Sequence, residues 1–141
     1  QDPGNLGTMI RTGEGAGITG VIMNQQTVDI FNPKTIRATM GSIFRVPFVY
    51  VSELSPVLTQ MHERGIHTYA AHLKGQKYYD SFSFREPIAF LIGNEGNGLT
   101  KEISDQAGQY LKIPMEGKVE SLNASIAAAL LMYEAHRQRN L

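Results

Sequence analysis

Three short stretches hold the side chains able to do chemistry. The first is Asp2-Pro3-Gly4-Asn5-Leu6-Gly7, with Arg11 following. Glycines on both sides of Asn5 permit close backbone approach. An arginine about a turn and a half further along a helix can hold a phosphate or polarise a hydroxyl. Taken alone, the stretch reads more simply as a helix cap at Asn5 and a solvated charge at Arg11.

The second stretch is Leu91-Ile92-Gly93-Asn94-Glu95-Gly96-Asn97-Gly98-Leu99. Three glycines after a short apolar run place a flexible loop at the carboxyl end of a strand, where open α/β sheets bind ligands. The spacing is neither Gly-x-Gly-x-x-Gly nor a P-loop, since the closing Gly-Lys-Ser/Thr is missing. A tight structural turn is the plain alternative, but Glu95 among glycines favours a site. The third stretch runs Ile113-Pro114-Met115-Glu116-Gly117 and then Ser121-Leu122-Asn123-Ala124-Ser125. Here a strand stops at a proline and a polar triplet opens a helix, whose free N–H groups can orient a ligand. Ser121 as an ordinary N-cap is compatible with that role.

Composition narrows the chemistry. The chain has 141 residues and no cysteine, which excludes disulfides, thiolate metal sites and cysteine nucleophiles. His62, His67, His72 and His136 have no metal-ligand spacing, so no metal is expected. No apolar run is long enough to cross a bilayer, and Ile126 to Tyr133 reads as a buried soluble helix. With no secretory signal in view, the expected location is cytoplasmic. Thirteen basic residues balance thirteen acidic ones, so this domain alone is expected to bind nucleic acid weakly. The chain runs from Gln1 straight into Asp2-Pro3-Gly4-Asn5, which reads as a piece of a longer protein.

Helical and strand signals alternate around these stretches. Asn5 to Gly17 is expected as a helix capped by Asn5, Ile18 to Met23 as a strand, and Lys34 to Met40 as a helix started by Asn32-Pro33. Phe48 to Val51 reads as a strand, Ser55 to about Arg64 as a helix closed by Gly65, and His67 to Ala71 as a strand. Lys74 to Glu86 lacks a period and reads as a loop, Ile88 to Ile92 as a strand, and Thr100 to Ala107 as a helix. Tyr110 to Ile113 is the last strand. Ser121 is expected to cap a final helix to about Arg139, with Leu122, Ile126, Leu130 and Tyr133 stacked at helical spacing. Apolar strands separated by helices indicate one α/β domain over 1–141, with a parallel sheet covered on both faces.

In this order and on this pattern, the three stretches resemble the signature motifs of the SpoU/TrmH family within the SPOUT methyltransferases. The resemblance covers nearly the whole chain, including Thr35-Ile36-Arg37-Ala38-Thr39-Met40-Gly41-Ser42 and Phe44-Arg45-Val46-Pro47.

The resemblance, rather than any periodicity, implies a deep C-terminal trefoil knot, a rarity among folds. It implies S-adenosylmethionine as cofactor, held largely by backbone groups at Leu91, Gly93, Asn94, Gly98, Ile113, Met115, Leu122 and Asn123, with Ala71 bordering the adenosine. It implies methylation of a ribose 2′-hydroxyl of RNA, ribosomal RNA ahead of transfer RNA. Arg11 would be the central catalytic residue, with Asn5, Glu95, Ser121 and Asn123 arranging the site. Since a guanidinium rarely loses a proton, polarising the hydroxyl and binding an adjacent phosphate suit Arg11 better than acting as a base. The family acts as homodimers, and the final helix and the apolar half of the first motif are the candidate contacts. Many members carry an N-terminal RNA-binding domain and a strand before the first motif, both missing from this stretch of chain. The rival readings are an NAD- or ATP-dependent enzyme using the Gly93–Gly98 loop, and a non-catalytic nucleotide- or RNA-binding module.

Overall fold

The computed structural model describes residues 2–93 and 98–141. Helix α1 spans Pro3–Ala16 and begins earlier than expected, because Asp2 rather than Asn5 is its cap. The Asp2 carboxylate accepts the Gly4 N–H at 2.8 Å. Pro3 in the first turn needs no hydrogen-bond partner of its own, so Asp-Pro is the stronger start signal. The Asn5 carboxamide is therefore not spent on the helix end. At the other end, Gly17 takes a left-handed conformation (φ 83°) that stops the helix.

Strand β1 (Val21–Asn24) leads to α2 (Pro33–Thr39), where the Asn32 side chain accepts the Lys34 N–H. A 3₁₀ turn at Ser42–Phe44 precedes β2 (Phe48–Val51), and α3 (Ser55–Glu63) ends just before Gly65. Strand β3 (His67–Ala71) is followed by a loop with a short 3₁₀ turn at Tyr79–Ser81. Strand β4 (Ile88–Leu91), α4 (Lys101–Gln106, capped by Thr100), β5 (Gln109–Leu111) and α5 (Ala124–Arg139) complete the chain.

All strand pairs are parallel, but the strands form two sheets rather than the single one expected. One is β1-β2; the other has the order β4-β3-β5. Among the described residues, β1 is paired only with β2 and β4 only with β3, so each keeps a free edge. Each sheet has its own core. Leu6, Ile10, Met23, Ile30, Ile43 and Val46 fill the first; Tyr69, Phe84, Leu111, Leu131 and Ala135 fill the second, with Tyr69, Phe84 and Phe90 meeting edge-on or tilted.

Two contacts of α1 organise these cores, one within the first and one between the two. Where α1 crosses α2, a Cβ on Gly7 would overlap the Ala38 side chain and lie 2.6 Å from the Thr35 carbonyl oxygen. The glycine is thus a packing residue that lets the two helices touch. The second contact is α1 against α5, which turns an unexpected face inward. Ser125, Ala128, Leu131, Glu134, Ala135 and Gln138 are its buried positions. Ile126, Leu130 and Tyr133, taken as part of a buried stack, are 51%, 37% and 45% exposed, and Leu122 precedes the helix.

The end of α5 is stitched to the loop before β4. Gln138 accepts the Phe84 N–H and donates to the Phe82 carbonyl and to Glu134; Arg139 donates to the carbonyls of Phe84 and Glu86. Glu134, nearly buried, takes both hydrogen bonds of Arg137, which holds its carboxyl below the usual range. Every polar group facing inward on this end of the helix thus has a partner.

Replacing Gly7 with alanine forces α1 away from α2. Gly7→Ala is expected to cost about 1–3 kcal/mol, the usual cost of overpacking a close contact, read as a lower urea midpoint at unchanged slope.

Candidate active site

The register of the larger sheet brings two of the three motifs to one edge. Ala70 lies beside Leu91 and Ala71 beside Leu111, so Ala71, the end of β4 and the start of the third motif share the carboxyl edge of the sheet. Beyond β5 the chain stays extended against the loop after β3: Lys112 donates to the Lys77 carbonyl and accepts the Tyr79 N–H. Gly75 closes this arrangement, since a Cβ there would come within 2.8 Å of the Leu111 backbone.

Gly93 and Gly98 meet on that edge. A Cβ on Gly93 would strike the Gly98 backbone, reaching 2.7 Å from its Cα, and Gly98 itself is left-handed (φ 63°). Two different demands, close approach and positive φ, therefore explain these glycines. Asn94 and Glu95 lie outside the described residues. Leu91, Gly93, Ile113, Met115 and Leu122 are half-buried, while Ala71 and Gly98 are exposed. The peptide groups of Ile113, Met115 and Leu122 are without backbone partners among the described residues.

The first and third motifs, at opposite ends of the chain, meet through their side chains. Asn123, rather than Ser121, is the N-cap of α5: its Oδ1 accepts the N–H groups of Ser125 and Ile126. That fixes which end of the carboxamide faces the helix, and its Nδ2 donates to Asn5 Oδ1 at 3.3 Å across a separation of 118 residues. The Ser125 hydroxyl lies 3.2 Å from the same Asn5 oxygen and 2.6 Å from Asn123 Oδ1. Asn5 Nδ2 is buried without a partner among the described residues. A buried amide donor left unsatisfied costs about 1–3 kcal/mol, so it marks a place where an acceptor is wanted.

Arg11 stands on α1 beyond Asn5, exposed and without a hydrogen bond or ion pair among the described residues. Its charge is uncommitted. Ser121 is exposed on the loop before α5, and its hydroxyl has no bond to Asn5 or Asn123. The Asn5–Asn123 part of the expected constellation is thus assembled directly, while Arg11 and Ser121 flank it.

One ionic cluster near this helix escaped the sequence reading. Glu14, one turn after Arg11 on α1, accepts two hydrogen bonds from Arg45 and one from the Ser42 hydroxyl at 2.5 Å. The Arg45 guanidinium lies over Gly41, so the cluster ties α1 to the 3₁₀ turn. These hydrogen bonds, first from Arg45 and then from Ser42, lower the Glu14 carboxyl from 4.5 to about 2. The only sequence hint was the glutamate on the helix and the arginine in the resembling Phe44-Arg45-Val46-Pro47, 31 positions apart.

With this geometry in view, comparison with known proteins is decisive. The model of the SpoU rRNA methylase family matches residues 1–133. The chain belongs to that family. A 23S rRNA guanosine 2′-O-methyltransferase of Bacillus subtilis is 38% identical over 133 residues, covering 94% of this chain and 53% of that protein. The crystal structure of the AviRb SpoU methyltransferase from Streptomyces viridochromogenes, in complex with AdoMet, superposes with a TM-score of 0.91 at 34% identity, covering 99% of this chain and 54% of that one. An AdoMet-bound rRNA methyltransferase from Sinorhizobium meliloti gives a TM-score of 0.88 at 38% identity, covering 96% and 52%. The chain spans about half the length of the curated relatives it matches. These likenesses establish the α/β fold of parallel strands flanked by helices.

The Glu14 cluster has a pH signature. Because folding lowers this carboxyl from 4.5 to about 2, its contribution is complete above about pH 4.5 and is lost as pH falls through about 2. Urea unfolding at a series of pH values is expected to separate Glu14→Gln from the parent most above pH 4.5. The two curves should converge toward pH 2.

Proposed function

We propose that this domain transfers a methyl group from S-adenosylmethionine to a ribose 2′-hydroxyl of RNA, with ribosomal RNA as the substrate class. The observation that carries this reading is the direct joining of the first and third family motifs at Asn5 and Asn123. Membership of the family and the rRNA 2′-O-methyltransferase among its relatives support it.

The residues present suit the cofactor. Apolar half-buried side chains at Leu91, Ile113, Met115 and Leu122, peptide groups of Ile113, Met115 and Leu122 without backbone partners among the described residues, and the meeting of Gly93 and Gly98 suit an adenosine and an amino-acid tail held through the backbone. Ala71 borders it from β3, and Asn94 of the same loop belongs to the proposed contact set. Bound there, S-adenosylmethionine supplies an activated methyl on a sulfonium that needs no metal. The protein's task is alignment and charge placement. Arg11 is proposed to hold a phosphate beside the target ribose and polarise its 2′-hydroxyl. As the carbon–oxygen bond formed, the methyl–sulfur bond of the donor would break and the hydroxyl proton would pass to water. Asn5 and Asn123 order the pocket, and Glu95 and Ser121 complete it.

The finer architecture belongs to the same proposal. On the strength of family membership, α5 is proposed to thread a loop of the preceding chain as a trefoil knot. The exposed apolar face of Ile126, Leu130 and Tyr133, with Tyr79 beside it, is proposed as the homodimer contact. In the whole protein, a further strand would pair with the free edges of β1 and β4, and an RNA-binding domain would supply the grip that a neutral catalytic domain lacks. The proposed setting is the cytoplasm. No helix among the described residues is long and apolar enough to cross a membrane, and no group of candidate metal ligands is present among them.

Calorimetry with S-adenosylmethionine, NAD and ATP, followed by mass spectrometry of RNA incubated with the full-length protein, tests the reading. Binding of S-adenosylmethionine and one new 2′-O-methyl group are expected; binding of NAD or ATP alone overturns it. Arg11→Ala should lower kcat by roughly 100-fold or more, as losses of charge-stabilising donors do, while leaving methyl-donor affinity intact. Leu130→Arg should convert the dimer to a monomer in sedimentation velocity.

A further inference from the structure

We infer that Ser125 is a positioning residue for the proposed methyl transfer: its hydroxyl helps set the orientation of the Asn5 carboxamide and so keeps the buried Asn5 Nδ2–H pointed toward an acceptor within the site. This rests on the functional reading above and adds a residue to it.

Ser125 sits in the first turn of α5, only 5% exposed, where a serine hydroxyl has little access to water. Its Oγ lies between two carboxamide oxygens, Asn123 Oδ1 at 2.6 Å and Asn5 Oδ1 at 3.2 Å. A hydroxyl has one proton to give, so the two oxygens share it.

The orientation of each amide follows from its neighbours. Asn123 is fixed first, because two backbone N–H groups of α5 require an oxygen at the cap. Its Nδ2 then faces Asn5, and an oxygen must face it in return. Turning the Asn5 amide over would set one NH₂ group against another. Asn5 Oδ1 thus accepts from Asn123 and from Ser125, and Nδ2 is left on the far side, buried and unpartnered. The Asn123 donor, together with the share of the Ser125 proton that reaches Asn5 Oδ1, holds that Nδ2 in one direction.

The two asparagines depend on Ser125 unequally. Without the hydroxyl, Asn123 Oδ1 keeps both backbone donors. Asn5 Oδ1 loses one of its two donors and keeps the one at 3.3 Å. Loss of Ser125 therefore falls on Asn5 and leaves the cap intact.

The test uses the full-length enzyme, S-adenosylmethionine and the RNA it methylates, with Ser125→Ala, Asn5→Ala and the double variant. Ser125→Ala is expected to lower kcat about tenfold or more with methyl-donor affinity changed less than threefold. In the Asn5→Ala background the same substitution should change kcat less than twofold, because the amide it orients is gone. A merely structural serine would instead lower the melting temperature and act equally in both backgrounds. Multiplicative losses, or a Ser125→Ala enzyme with the parent's kcat, overturn the inference while leaving the function standing. A parent that methylates no RNA overturns both. Should the alanine variant unfold, Ser125→Cys carries the same comparison, since a thiol keeps the buried volume and donates only weakly.

Discussion

The cap of the last helix is the constraint on which the site depends. Asn123 satisfies two of the otherwise orphaned N–H groups of α5 and thereby sets where the helix begins. Residues on a helix advance by about 100° each. A start at Ser121 would place Asn123 inside the first turn and take its side chain away from the cap. With Asn123 at the cap, one carboxamide ends a helix and reaches Asn5 at the other end of the chain. Placement of α5 and assembly of the first and third motifs are one event.

The faces of α5 follow from the same start point. Inward it presents small and polar residues, Ser125 and Ala128 toward the beginning and Glu134 and Gln138 toward the end. Small residues permit close contact with α1. The polar ones are tolerated inside because each is hydrogen-bonded, Gln138 to the backbone of Phe82 and Phe84 and Glu134 to Arg137. Leu131 packs inward in the second core, whereas Ile126, Leu130 and Tyr133 point outward. Such a face on a helix that is already packed is characteristic of a contact with another surface.

Charge is distributed with similar economy on α1. Glu14 engages Arg45 and Ser42 and fixes the helix against the turn after α2. Arg11, one turn earlier, has no such partner among the described residues. The balanced net charge of the chain therefore conceals a committed arginine at position 45 and an uncommitted one at position 11.

Local sequence determined the order and type of the elements. Phe48–Val51 and His67–Ala71 carry uninterrupted strand patterns. Asn32-Pro33 and Gly65 are strong punctuation because their backbone preferences hardly depend on surroundings. The three motifs were legible for the same reason, since unusual residues at fixed spacing survive without knowledge of the fold. Which asparagine caps a helix and which serves the site was not legible. Asn5, Ser121 and Asn123 all have capping side chains, and Asp2 and Asn123 prevail through the geometry of their neighbours. Nor could periodicity tell the inward face of α5 from the outward one, because an apolar stripe records burial without naming what buries it. The bond between Asn5 and Asn123 and the clasp of Arg45 on Glu14 join residues 118 and 31 positions apart. Only the folded chain brings such pairs within the few ångströms over which hydrogen bonds act.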